Sequence, residues 1–233
     1  MSTSSFNPEY QKPVSDQDKF VYAVSHDLQE PLRMMTSFMK LMESRFSNEL
    51  PEDGKRYLGM AMQNADRMKE MIYALVDFSR IKRTQEQTTD VDLQDLFSNI
   101  ATMYARDFEQ KNIEFNYDIP STIDFRPLQF TTLIKVLVQN VLDHVDARNI
   151  QLDVSFEEND QEYHFLVANS GEPLKEVYLD KVFDIFKKVD PSSDGVGAGL
   201  AIAREIVENH NGTMWATNEP VTTIHFTVPK KTS

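Results

Sequence analysis

Two stretches of the chain hold residues whose chemistry could act on phosphate. In "SHDLQEPL", His26 stands beside Asp27 and five residues ahead of Pro31, with Glu30 one helical turn after the histidine. A neutral imidazole nitrogen can attack a phosphoryl group when the other ring nitrogen carries the proton and an acceptor holds it. A lone histidine on a helix is more often a solvated surface residue, so these residues alone leave both readings open. In "DGVGAGLAIAREIV", three of the seven glycines fall at 195, 197 and 199, just ahead of a helical pattern. Backbone amides freed by glycine at a helix N-terminus suit an anion such as a nucleotide phosphate. The spacing departs from the dinucleotide-binding fingerprint and there is no P-loop lysine, so by itself the stretch specifies only a glycine-rich turn before a helix.

The elements that must position these residues fall into two regions. From Asp16 to Arg83 the apolar spacing is helical. Val21, Leu28, Met35 and Met42 fall seven apart, with Leu32, Met39 and Phe46 as a second row; later come Leu58, Ala65 and Ile72, then Ala61, Met68 and Leu75. "NELPEDGKR" interrupts the two stretches, where Pro51 and Gly54 provide a turn, so residues 16–83 read as a helical hairpin with buried seams. Two helices cannot enclose their own apolar faces, and pairing of two hairpins into a four-helix bundle solves this. Residues 1–15 read as a flexible start, and 84–90, inside "RTQEQTTDVD", as a polar linker or short pairing segment. Residues 91–233 then mix helices with alternating strands, "IEFNYDI", "IQLDVSFEE", "EYHFLVANS", "GTMWATNE" and "TTIHFTVP", and a helix stopped at Asn211 and Gly212. The whole is an α+β protein, a hairpin followed by an α/β sandwich with helices on one face of a mixed sheet.

Composition narrows the chemistry. With 40% hydrophobic residues in 233, the chain can bury a real core, and no apolar run approaches the ~20 residues of a membrane span. The start lacks the apolar core of a secretory signal, so a cytoplasmic location without membrane contact is expected. The absence of cysteine excludes thiolate catalysis and thiolate metal sites. A formal charge of −13 opposes nucleic-acid binding and favours a basic partner surface. His164, His210 and His225 fit no motif and read as structural, and Trp215 as core.

The order of segments says more than any one of them. "SHDLQEPL", "LVQNVLDHV", "VANSGEPL", "VFDIFKKVD" and "GVGAGLAIAREIVENHNGTMWA" follow the order and approximate spacing of the H, N, first glycine, F and second glycine boxes of sensor histidine kinases. Over residues 16–229 the chain therefore resembles that family, and "HDLQEPL" is similar to the version in phytochrome-type kinases. The resemblance implies a dimeric phosphotransfer hairpin followed by a Bergerat-type ATP-binding domain. It assigns nucleophilic attack to His26 and the acid/base role to Asp27, and puts Glu30 where many relatives carry a Thr or Asn used in hydrolysing the partner's phosphoaspartate. Pro31 should kink the helix there. It implies ATP and Mg²⁺ as cofactors, held through Asn140, His144, Asn169, Gly171, Phe186, Gly195, Gly197 and Gly199, under a short lid, "KKVDPSSD". Response-regulator receiver domains are the implied partners, with an upstream hybrid kinase as a further one.

Several positions depart from the family pattern. His144 stands where the second Asn of the N box binds Mg²⁺, and imidazole is a poor substitute for an oxygen ligand to a hard cation. Ala147 replaces the basic residue that follows, with Arg148 beside it. Asn169 replaces an Asp and Pro173 a Gly, a combination that some otherwise intact relatives share. Three functions are compatible with these residues. The favoured one is a histidine phosphotransferase passing phosphate between receiver aspartates through His26, with a degenerate ATP site. The second is an ATP-dependent autokinase, and the third a non-catalytic dimer that binds response regulators as a scaffold. No sensor domain precedes residue 16, which favours the first over the second if the sequence is a whole gene product.

Overall fold

The computed structural model describes residues 16–83, 86–144, 149–189 and 195–230. Two long helices, α1 (Asp16–Phe46) and α2 (Glu52–Arg83), form the hairpin. Gly54 belongs to the first turn of α2 rather than to the connection, which Pro51 closes just ahead of the helix. Of the two apolar rows expected to be buried, only one is. Leu32, Ala65 and Ile72 are buried together with Met39 against them, and the same sevenfold spacing continues through buried Ser25 and Ser79. The other row is open: Leu28, Met35 and Met42 are each about half exposed, as are Phe46 at the end of the Leu32 row and Met68 on α2. The reason is geometric, since each helix presents one face to its neighbour, and an adjoining face about 40–60° round remains uncovered within one chain.

Of the two readings of residues 84–90, linker or short pairing segment, the end of the segment takes the second. Strand β1 (Thr89–Asp92) pairs antiparallel with β3 (Thr122–Phe125), so the last residues of the polar linker are already part of the fold. Asp92 then caps α3 (Leu93–Met103) through its side chain, which accepts from the Asp95 N–H at 3.0 Å. A break at Tyr104 separates α3 from α4 (Ala105–Lys111), and Asn112 in the left-handed conformation turns the chain into β2 (Ile113–Tyr117). Helix α5 (Pro127–His144), strands β4 (Ile150–Glu158) and β5 (Glu162–Asn169), two short 3-10 turns, helix α6 (Gly199–Glu208) and strands β6 (Met214–Thr217) and β7 (Thr222–Pro229) complete it.

The main sheet runs β2-β4-β5-β7-β6, with β2 and β4 parallel and every other pair antiparallel. Alternation along the strands sends Leu152, Val154, Phe165, Val167, Ile224 and Phe226 to the side covered by the helices. Phe165 and Phe226 stack at 4.8 Å, and Phe130 of α5 meets Phe125, Phe165 and Phe226 edge-on. The opposite side of the sheet corrects the reading of Trp215, which is not core. It is 36% exposed and stacks on His225 and His164, while His164 and His225 share a hydrogen bond of 3.1 Å. His210 is structural, as its lack of a motif suggested: its ring lies 3.5 Å from that of Phe125, and its Nδ1–H donates to the Ile206 carbonyl. Gly212 has a steric reason, since a Cβ there would meet the Thr227 carbonyl oxygen.

Candidate functional site

The predicted residues form two groups on different elements. On α1, the Nδ1 of His26 lies 3.3 Å from Oδ1 of Asp27, and their side chains are 73% and 84% exposed. A carboxylate can only accept, so this contact holds the proton on Nδ1 and leaves Nε2 free. The ring sits about 100° round the helix from Ser25 and roughly opposite the open row of Leu28 and Met35, which turns it to solvent on either count. Pro31 lies inside the continuous helix α1 and has no N–H, so the carbonyl of Asp27 lacks its usual helical donor at the turn that carries the histidine. Glu30, one turn below His26, is gripped by Arg33 through Nη2–H to Oε1 at 2.8 Å and Nε–H to Oε2 at 3.2 Å. That hydrogen bond first, and then the guanidinium charge, holds the Glu30 carboxyl below its usual range. Arg33 was not singled out in the sequence, though an acid and a base three apart on a helix is a legible signal.

Part of the second group lies where α5 meets the glycine stretch. Val136, Asn140 and His144 recur every four residues and so share one face of α5. Gly199, the first residue of α6, packs against this face closely enough that a Cβ would come within 3.3 Å of the Val136 side chain. Gly195 and Gly197 have φ of 77° and 73°, the left-handed region that glycine reaches without penalty. At Gly197 a second constraint applies, because a Cβ would sit 2.6 Å from the Lys187 carbonyl oxygen. The Gly197 carbonyl in turn accepts from the Phe186 N–H at 2.8 Å, with Phe186 itself at φ 64°. One hydrogen bond thus ties the F-box segment to the glycine turn.

His144 ends α5, exposed, with its Nδ1–H donating to the Asn140 carbonyl at 3.0 Å. Asn169 is the last residue of β5, opposite Thr222, and Gly171 lies in the bend two residues on. Ala147, Arg148 and most of the expected lid, residues 190–194, lie outside the described residues. Two open clefts, of about 300 and 500 Å³, lie elsewhere, between α3 and α5 and at the starts of β2 and β4. Neither is lined by a residue predicted to hold nucleotide. Among the described residues, no group of three or more His, Cys, Asp or Glu is arranged to hold a metal ion, and no helix is long and apolar enough to cross a membrane.

Comparison with known proteins follows the same division. Residues 16–84 match the family model of the His Kinase A (phospho-acceptor) domain, and residues 126–232 that of the histidine kinase-, DNA gyrase B- and HSP90-like ATPase. The phytochrome-like protein Cph1 of Synechocystis is 24% identical over 219 residues, covering 92% of this chain and 29% of that protein. Cyanobacterial phytochrome B of Nostoc is 28% identical over 229 residues, covering 95% and 30%. The chain spans about three tenths of the length of these relatives. Among solved structures, that of the histidine kinase ThkA in complex with the response regulator protein TrrA superposes with a TM-score of 0.62, at 20% identity, over 93% of this chain and 64% of that one, a likeness of fold.

Proposed function

We propose, starting from a chain that carries a sensor histidine kinase core, that it is a phosphorelay protein exchanging a phosphoryl group between His26 and the receiver-domain aspartates of response regulators. The observation that carries this reading is the open His26–Asp27 pair, with Nδ1 held at 3.3 Å and Nε2 uncovered. In the transfer, the Nε2 lone pair attacks phosphorus, the P–N bond forms, and the P–O bond to the receiver's carboxylate breaks, releasing that carboxylate as an anion. The ring would then be cationic, and Asp27 takes up the Nδ1 proton to leave a phosphohistidine whose ring is neutral. An upstream hybrid kinase would supply the phosphorylated receiver. Residues 16–83 serve as the phosphotransfer and dimerisation unit, and the region from 91 onward as the nucleotide-type unit.

Dimerisation follows from the packing. Leu32, Ala65 and Ile72 form the buried apolar cluster of the hairpin, with Val76 also buried on α2, and so few side chains contribute only roughly 5–8 kcal/mol. Val24, Leu28, Met35, Phe38 and Met42 lie exposed along one further stripe of α1. A second copy would cover it, completing a four-helix bundle and leaving His26 on the outside.

For ATP, the glycine turn, Phe186, Asn169 and Gly171 fit a nucleotide site of the matched ATPase type. Bound there, ATP would supply a transferable γ-phosphoryl group. For Mg²⁺ the donor set does not fit, since His144 offers a tethered imidazole where a hard cation needs oxygen. The intact glycine turn favours a second reading, an ATP-dependent autokinase acting on the same His26. Separate incubations with labelled Mg-ATP and with phosphorylated receiver domains discriminate the two. The relay reading expects label on His26 only from the receivers.

A further inference from the structure

The five strands of the main sheet contain no lysine or arginine. One side of the sheet is filled by the core under the helices, and strand alternation turns the remaining side chains to the opposite, open side. Carboxylates collect there: Glu114 on β2, Asp153 and Glu157 on β4, and Glu162 on β5. Lys230, just past β7, does not offset them, because it lies over the ring of Tyr163, which packs against the core, and pairs with Glu158 at 2.7 Å.

Beside the carboxylates, the same side carries a cluster of three rings. Pairing of β6 with β7 sets Trp215 opposite His225, and their rings lie 5.1 Å apart at an angle of 4°. His164 of β5 stacks on both, 5.1 Å from Trp215 and 5.2 Å from His225. The two nitrogens of His225 bond to His164 Nε2 at 3.1 Å and to Thr217 Oγ1 at 2.9 Å, which fixes that ring. Burial, and then the neighbouring His164, lowers the His225 pKa despite nearby Glu157, so the ring is neutral at pH 7. Strand β6 ends the sheet, so no further strand stands against the outer face of the indole. The Nδ1 of His164 lies 3.9 Å from Oε2 of Glu157, whose side chain is 77% exposed. An open indole and an open carboxylate thus lie one ring apart.

Aromatic faces attract cations, tryptophan most strongly, and carboxylates attract the same groups. Guanidinium suits both, since its planar fork stacks on a ring, pairs with a carboxylate, and is more weakly hydrated than an ammonium. A sheet face lacks the concave enclosure that a small ligand needs, whereas an extended protein segment can lie across it. We propose that the open side of the sheet docks a partner protein through a segment bearing at least two arginines, one stacked on Trp215 and another paired with Glu157. This gives a place to the basic partner surface that a net charge of −13 favours, and the same charge opposes nucleic acid there. The surface is separate from the apolar stripe of α1, and the inference does not depend on where His26 obtains its phosphate.

Trp215 is the single tryptophan of the chain, so its fluorescence reports from the surface itself. The full chain is titrated with a peptide of alternating arginine and glycine, and with the same peptide carrying glutamine for arginine. A saturable change in emission is expected with the arginine peptide only, weakening as salt is raised. With that peptide labelled and followed by anisotropy, Trp215→Leu, which leaves the net charge unchanged, should weaken binding about tenfold, and Glu157→Gln about threefold. Trp215→Phe keeps a smaller ring and should retain part of the affinity, which separates lost stacking from lost fold. Equal binding of the two peptides, or no saturable binding of either, would overturn the proposal. So would unchanged affinity in Trp215→Leu, which would leave only the general attraction of an acidic chain. A concentration-dependent shift of the Trp215 emission without peptide would overturn it too, by assigning the face to a second copy of this chain.

Discussion

His144 donates its Nδ1–H to the carbonyl of Asn140, one turn earlier on α5, at 3.0 Å. A carbonyl only accepts, so the bond fixes the tautomer and turns Nε2 outward as the atom available to a ligand. Nitrogen suits Mg²⁺ poorly. Calorimetry with ATP should therefore find weak binding that added Mg²⁺ scarcely improves, and His144→Asn should restore a magnesium-dependent gain of about tenfold or more. Tight Mg-ATP binding by the unmodified chain would shift the balance to the autokinase.

The two apolar faces of the hairpin make separable predictions. Leu28 is 47% and Met35 52% exposed, whereas Ile72 is 4% exposed. Replacing Leu28 and Met35 with Asp should give a monomer by light scattering with helical content retained. Ile72→Asp should instead unfold the hairpin, at a cost of about 3 kcal/mol or more for a charge placed in a packed seam. If the unmodified protein proved monomeric, the bundle would be excluded.

His210 supplies a pH dependence. Burial, with the charge of Arg126 adding to it, lowers its pKa from 6.5 to about 4 despite the opposing bond to the Ile206 carbonyl. Between those values the unfolded chain binds the proton and the folded one does not. Stability contributed by the neutral ring is thus complete above about pH 6.5, falls as the pH drops toward 4, and changes no further below. The loss should be about 2–3 kcal/mol, less than the full linkage value because solvent reaches part of the ring. Denaturant midpoints measured from pH 7.5 to 4 should fall more steeply for the unmodified protein than for His210→Phe. Parallel curves would show that His210 titrates normally.

Much of this was legible in the sequence, and the failures have physical causes. The sevenfold spacing of Leu32, Met39, Ala65 and Ile72 located the hairpin. It could not say that this row, rather than Leu28, Met35 and Met42, lies between the two helices, because both rows are equally apolar and only the partner's position separates them. "TDVD" carries a single apolar residue and becomes strand only by pairing with β3, a contact between segments about 30 residues apart. The glycines at 195, 197 and 199 marked a turn correctly, but their close approach to Lys187 and Val136 is set by the fold. Trp215 misled because a tryptophan's size suggests burial, while strand alternation places it on the outer side of the sheet. Glu86, whose carboxylate accepts the Leu128 N–H, and Gln129, whose side-chain N–H donates to the Ile81 carbonyl, gave no signal at all, as these backbone partners are more than 40 residues distant.

Removing the proton-holding group beside the nucleophile should slow chemistry without disturbing structure. Asp27 is 84% exposed, so Asp27→Asn should leave the dimer and its thermal stability unchanged. Transfer to His26 should fall by roughly 10²–10⁴-fold, the range for a lost acid/base partner. An unaltered rate would mean that the 3.3 Å contact has no part in the reaction.

The most direct measurement is transfer of labelled phosphate from a panel of phosphorylated receiver domains to the unmodified chain and to His26→Gln. Acid-labile label is expected on the unmodified protein from at least one receiver, and none on His26→Gln, which should remain folded and dimeric because the ring is exposed. Label surviving in His26→Gln, or no label on the unmodified chain from any receiver, would contradict it.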